Sequence, residues 1–342
     1  MKGEEIAEKL SPALADACQA DRVTVREIRT MTGGAAREAW RLDVEIERTG
    51  AEPEHRSFVA LIFRKGGQGN FSGIQEAALL RAAAAAGVPV AKVVCAGEEE
   101  LGRPFYVMEY VTGETIGRRL VRDERFAAIR PKLAAQMAEA LVAVHRVPVE
   151  EDKLAFLPRP PSDRPVALAA VEQLEVIYRS VSLDPHPVFE LALHWLRSRA
   201  PKHSDLGLVH GDFRIGNLMI EEQRGVVAVL DWELAHVGDP LQDLGWACVR
   251  SWRFGADHLT CGGVGRREDL VAAYEKASGS EVDLDVLQFW EVFGNLYWGV
   301  ITLMQVRPFL DKVFPSIELA GIGRRAAETE WELLNLIEGK GL

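Results

Sequence analysis

Basic charge is the first thing this 342-residue chain has little of. It carries 40 Lys and Arg against 51 Asp and Glu, a formal net charge of −11. Non-specific nucleic-acid binding depends on neutralising phosphates with basic surface, so the charge argues against it and no nucleic-acid partner is expected. A neutral or cationic small molecule suits the average field better, although a local site can depart from it. Cysteine is scarce too. Cys18, Cys95, Cys248 and Cys261 are widely spread, with no Cys-x-x-Cys and no zinc spacing among the His and Cys residues. They read as buried or incidental thiols of a reducing, cytoplasmic compartment. Long apolar runs are also missing. The stretch Met1 to Cys18 carries several acids and no apolar core, which excludes a signal peptide or membrane span and predicts a short amphipathic packing helix. No membrane partner is expected, and oligomeric state is not legible. Internal repeats are absent, and low complexity is confined to Ala82–Ala86.

What the chain does have is apolar residues, at 48% of its length, which rules out the composition of a disordered protein. Its length suits one large domain or two lobes. The segment Leu208 to Asp239, LVHGDFRIGNLMIEEQRGVVAVLDWELAHVGD, organises the rest. Leu208-Val209 leads into His210-Gly211-Asp212, and Asn217 follows five residues later. Leu218-Met219-Ile220 and Val226 to Leu230 flank a polar turn and predict a hairpin. That hairpin would bring Asp212, Asn217 and Asp231 to one end of a sheet. An exposed carboxylate can orient a hydroxyl and take its proton. An amide oxygen and a second carboxylate are hard ligands suited to Mg²⁺ shared with phosphates.

Asp-x4-Asn followed by Asp after a hairpin is the layout of protein-kinase catalytic and metal loops. Here the loops read His-Gly-Asp and Asp-Trp-Glu. In both respects the chain resembles the aminoglycoside phosphotransferase family, small-molecule kinases on a protein-kinase-like fold. HGDFRIGN and DWELAHVGDPLQDLGW most resemble the branch related to kinase-like domains fused to some acyl-CoA dehydrogenases.

The resemblance implies an α+β, bilobal protein-kinase-like fold. Residues 1–111 would form a small lobe, with an antiparallel sheet and a helix, and 112–342 a larger, mostly helical lobe. It implies ATP and Mg²⁺ as cofactors and a small-molecule hydroxyl as acceptor. Asp212 would orient and deprotonate that hydroxyl, with Arg214 neutralising charge during transfer. Asn217 and Asp231 would hold the metal. Asp243 would be a scaffold acid bonding the catalytic loop.

The small-lobe residues follow in order. Val23 to Ile28 and Trp40 to Ile46 alternate as strands. Between them Gly33 and Gly34 could bend amides over phosphates, although the stretch matches Gly-x-Gly-x-x-Gly poorly. Ser57 to Phe63 is a third strand, closed by Arg64 and Lys65. The resemblance implies Arg64 as the phosphate-binding cation, with Lys65 as its alternative, and Glu76 in the following helix (Gln75 to Ala86) as its partner. Phe105 to Val111 reads as a buried strand followed by a turn; the resemblance implies that its end, Glu109, Tyr110 and Val111, presents backbone to a purine. Beyond it the apolar spacing of Phe126 to Val144 predicts one helix ending at His145. A proline-rich linker follows, then helices over Val171–Ser182, Val188–Arg199, Leu284–Met304 and Arg324–Ile337.

Two rival readings stand beside the leading one. The imperfect glycine loop and Arg at the cation position fit a nucleotide-binding scaffold of weak activity. An antibiotic phosphotransferase is the other. A protein kinase proper is disfavoured, because Asp243 comes only 12 positions after Asp231 and no Ala-Pro-Glu follows.

Overall fold

In the computed structural model, residues 2–31, 37–63, 70–150 and 152–339 are described. The elements run α1 (Gly3–Ala17), β1 (Arg22–Met31), β2 (Arg37–Glu47), β3 (Glu54–Phe63), α2 (Gly73–Ala85), β4 (Val93–Gly97), β5 (Phe105–Glu109), α3 (Gly117–Arg122), α4 (Arg130–His145), α5 (Val166–Val181), α6 (Pro187–Arg199), β6 (Gly207–Val209), β7 (Leu218–Glu221), β8 (Gly225–Val229), β9 (His236–Gly238), α7 (Leu241–Ala247), α8 (Arg267–Ser278), α9 (Leu284–Leu310), α10 (Ile317–Gly323) and α11 (Ala326–Ile337). They form two compact units. One comprises Met1–Thr112 with Glu150–Phe156 and Val227–Leu234; the other holds Gly113–Val149, Leu157–Val226 and Ala235–Leu342. The segment bearing Asp231 therefore groups with the first unit, not with the residues that follow 112.

The first unit is built on a five-stranded antiparallel sheet in the order β1-β2-β3-β5-β4. Strand β2 shows why the period-two pattern was legible: Leu42, Val44 and Ile46 face a core completed by Ile6, Leu10 and Leu14 of α1. In β1 the register shifts between Val25 and Glu27, so the alternation slips by one residue before Ile28. Helix α2 starts at a Ser72–Gln75 capping box, two residues before the expected start. Its Ala-rich surface is buried on more than one side, which explains its lack of a polar stripe.

The second unit is mostly helical. One of its cores gathers α5, α6, α9 and α11 around Phe189, Trp290, Leu296 and Leu333. The single helix expected from Phe126 to Val144 is instead a short turn around Phe126 and then α4, because Pro131 starts a new helix at its first turn. The expected hairpin is present as β7 and β8. Strand β6, however, pairs antiparallel with β9, Leu208 opposite Val237. Among the described residues, no helix is long and apolar enough to cross a membrane.

Candidate active site

Asp212 lies just beyond β6, in a loop whose shape is set by Gly211 and Asp243. Gly211 has φ +82°, a left-handed backbone that glycine adopts without a Cβ penalty. Asp243, in the first turn of α7, accepts the backbone N–H of His210 at 2.7 Å and of Gly211 at 2.9 Å. The ring of His145, at the end of α4, meets the same carboxylate with Nε2 at 3.2 Å, and its Nδ1 meets the Tyr274 hydroxyl at 2.8 Å. Asp243 is fully buried. Burial opposes its charge, but the His145 bond, the nearby His rings and the His210 N–H more than offset it, and its carboxyl is held below the usual range. It thus acts as the scaffold acid the sequence implied.

Three side chains fix the Asp212 carboxylate. The Trp246 indole N–H donates to Oδ1 at 2.7 Å, Asn217 Nδ2 donates to Oδ2 at 2.5 Å, and Arg214 Nε lies 3.1 Å from Oδ1. Asn217 Nδ2 also donates to the Asp212 carbonyl at 2.9 Å. With its amide nitrogen so used, Asn217 turns its carbonyl oxygen elsewhere, the donor a hard cation wants. The Arg214 guanidinium stacks 5.0 Å over the Trp252 ring. The Asp212 side chain remains 17% exposed, so it is not sealed from solvent. Trp246 was missed as a polar contact because it sits in an apolar helix. The signal was its place three residues after Asp243, on the same helical face.

The first unit carries a second polar cluster. Glu76, 3% exposed, accepts Arg37 Nη1 at 2.6 and 2.8 Å and the Tyr106 hydroxyl at 2.8 Å. Arg37 Nη2 reaches Asp231 Oδ1 at 3.2 Å. Burial works against the Arg37 charge, but Glu76, Tyr106 and Asp231 raise its pKa above the ordinary arginine value. Desolvation and Glu76 push the Tyr106 hydroxyl well up, so it remains a donor. Asp231 has φ +63°, a strained backbone that aspartate tolerates better than most residues. Arg37 was not singled out from the sequence. The expected partner of Glu76, Arg64, lies outside the described residues, as do Lys65, Gly33 and Gly34.

At the end of β5 the Glu109 N–H bonds the Lys92 carbonyl and the Tyr110 N–H bonds the Ser57 carbonyl, both within the first unit. The Glu109 carboxylate pairs with Arg56, and Arg41 stacks 4.4 Å over the Tyr110 ring. Of the three residues expected to meet a purine, two thus have their amides already engaged.

Among the described residues, no group of three or more His, Cys, Asp or Glu side chains could hold a metal alone. Asp231, in the first unit, and Asn217, in the second, each offer a hard oxygen donor of the kind Mg²⁺ takes together with phosphates.

An antiparallel sheet with a buried Glu–Arg pair, joined in the chain to a helical unit with an ordered His-Gly-Asp loop, defines a kinase-like phosphotransferase. Residues 15–290 match the model of the Phosphotransferase enzyme family, and the chain belongs to that family. It is 31% identical to mouse acyl-CoA dehydrogenase family member 10 over 189 residues, 51% of this chain and 16% of that protein. To human acyl-CoA dehydrogenase family member 11 it is 27% identical over 218 residues, 60% of this chain and 27% of that one. The match thus spans about a sixth to a quarter of the length of these relatives. In structure it resembles a Ralstonia eutropha protein described as a candidate aminoglycoside phosphotransferase, with TM-score 0.74, 23% identity and coverage of 97% and 98%. It also resembles Plasmodium vivax ethanolamine kinase, with TM-score 0.61, 11% identity and coverage of 96% and 86%. At such identities these structures speak for the fold alone.

Proposed function

We propose that this chain transfers the γ-phosphate of ATP to a hydroxyl of a small molecule, with Mg²⁺ as the second cofactor. The carrying observation is the Asp212 carboxylate, held by Trp246, Asn217 and Arg214 on a loop pinned by Asp243 and still 17% exposed. Such a group orients a hydroxyl, accepts its proton and needs no reorganisation to do so. Asn217 and Asp231 are the proposed metal ligands. A cation held there would supply charge neutralisation for phosphoryl transfer. Arg214 would add a positive charge beside the reacting oxygen. A purine would use the Val111 backbone, since the neighbouring amides are taken. The family supports phosphotransfer; solved relatives in complex with ADP or GDP support a purine nucleotide as donor.

The test is a panel of hydroxylated metabolites and antibiotics, scored by ADP release from ATP and GDP release from GTP. One acceptor class should give turnover. On that acceptor Asp212→Asn should keep the melting temperature and nucleotide affinity of the wild type and lose at least 10³-fold in kcat, within the range set by removing a general base and its positioning (about 10²–10⁴-fold). Near-wild-type turnover in Asp212→Asn would remove the proposed base.

A further inference from the structure

We propose that Arg37, at the start of β2, grips the donor's α- and β-phosphates in this chain, with Glu76 holding it in place and Asp231 occupying it until the nucleotide arrives. This rests on the nucleotide reading above and names a binding residue within it.

The position comes from the sheet. Arg37 pairs with Phe63, the last residue of β3, so β2 delivers a guanidinium to the end of the sheet where β3 runs out. Alternation puts Arg37, Ala39 and Arg41 on the face opposite Leu42, Val44 and Ile46, which contact the core under α1. On that same face Arg41 stacks on Tyr110, at the end of β5. Along β3, Phe58 lies opposite Glu109 and Phe63 opposite Arg37, a separation of five residues. At about 3.3 Å per residue the two ends are roughly 16 Å apart. One sheet face therefore presents a hinge backbone at one end and a fixed cation at the other. That spacing suits a nucleotide lying with its base at one end and its phosphates at the other.

The chemistry comes from how the guanidinium is used. Nη1 is committed to both oxygens of Glu76, which Tyr106 also holds. Glu76 is almost wholly buried and Arg37 is 17% exposed, so the pair is rigid on its Glu76 side and open on the other. Nη2 meets Asp231, whose side chain is 38% exposed. A planar guanidinium anchored by one nitrogen offers its other N–H groups in a fixed direction, the geometry that recognises phosphate. A divalent cation on Asp231 would take over that carboxylate, and Nη2 would turn its hydrogens to the phosphates the cation brings. Arg37 would then neutralise Asp231 in the free protein and phosphate in the loaded one.

Titration calorimetry with ATP, ADP and adenosine, in Mg²⁺ and in EDTA, tests this on wild type, Arg37→Lys, Arg37→Gln/Glu76→Gln, and Arg64→Ala/Lys65→Ala. The double Gln variant removes the buried pair together, so Glu76 is not left as an uncompensated charge. Melting temperatures confirm which variants are folded. Arg37→Lys and the double Gln variant should bind Mg-ADP and Mg-ATP at least tenfold more weakly than wild type, with adenosine affinity unchanged. A purely structural ion pair would instead lower the melting temperature while the folded protein kept its Mg-ATP affinity, and that outcome overturns the proposal. So does a loss confined to Arg64→Ala/Lys65→Ala. If the wild type binds Mg-ATP in either of those cases, the nucleotide reading stands without Arg37. If it binds no purine nucleotide, both fall together.

Discussion

Asp212 is surrounded by donors of unequal standing, and Trp246 is the one whose removal says most. Its indole N–H meets Oδ1 at 2.7 Å, and its ring packs 5.3 Å from Trp252 and 5.5 Å from Tyr297. Trp246→Phe keeps most of that packing and deletes the hydrogen bond. A bond to a charged group is worth about 1.5–3 kcal/mol. If the bond holds the carboxylate for reaction, kcat should fall by roughly tenfold to a hundredfold, at about 1.4 kcal/mol per decade. Nucleotide affinity should stay put, since the hydrogen bond that is deleted goes to the Asp212 carboxylate. Steady-state kinetics with the identified acceptor checks this, and a lowered melting temperature with unchanged kcat would reassign Trp246 to packing. At this scale the sequence was legible where one residue type has few uses. An Asp in a His-Gly-Asp loop, an Asn five residues on and a buried Asp before an apolar helix each carry chemistry in their identity. Arg37 carried no such signal: a cation opening a strand is ordinary, and its partners Glu76, Tyr106 and Asp231 are distant in sequence.

Helix α7 is the element on which the His-Gly-Asp loop depends. Seven residues long, it contributes Asp243 to the His210 and Gly211 amides and Trp246 to the Asp212 carboxylate. It packs against α9 at Gly245, where an added Cβ would lie 2.6 Å from the Trp290 carbonyl carbon and 2.8 Å from the Glu291 nitrogen. These are backbone atoms of a 27-residue helix and cannot step aside cheaply. Gly245→Ala should therefore cost about 1–3 kcal/mol of stability. Because the shift would move Asp243 and Trp246 together, catalysis should drop in the fraction that remains folded. Thermal unfolding and kinetics on the same preparation check both halves; an unchanged melting temperature would mean that α7 and α9 are not packed so closely. Strands β2 and β3, helix α2 and the β7–β8 hairpin were legible because their patterns are local: alternation, a cap, a polar turn. The pairing of β6 with β9 was not, since its two short strands lie on either side of the hairpin and neither shows a period. Nor was the crossing at Gly245, because a glycine inside a helical pattern points equally to a weak helix or a close approach.

For the whole molecule, two buried acids of opposite tendency bound the pH range of greatest stability. Asp243 has a folded pKa held below its ordinary value. Its contribution is present above the unfolded pKa of ~3.9 and is lost as pH falls through the folded value. Glu291 of α9 goes the other way: burial pushes its carboxyl up to about 7, despite the Arg267 guanidinium 2.7 Å away. Its contribution is fully present below the unfolded pKa of ~4.3 and disappears as pH rises through the folded value. A shift of that size corresponds to a few kcal/mol, at about 1.36 kcal/mol per unit. These two groups, taken together, favour mildly acidic pH. Melting temperatures from pH 3 to 8 for wild type, Asp243→Asn and Glu291→Gln resolve them. The advantage of wild type over Asp243→Asn should shrink toward the acid end, and its standing relative to Glu291→Gln should fall between pH 5 and 8. A constant offset for Glu291→Gln across that span would show that Arg267 keeps the carboxylate ionised throughout, and the burial would then be matched by the ion pair.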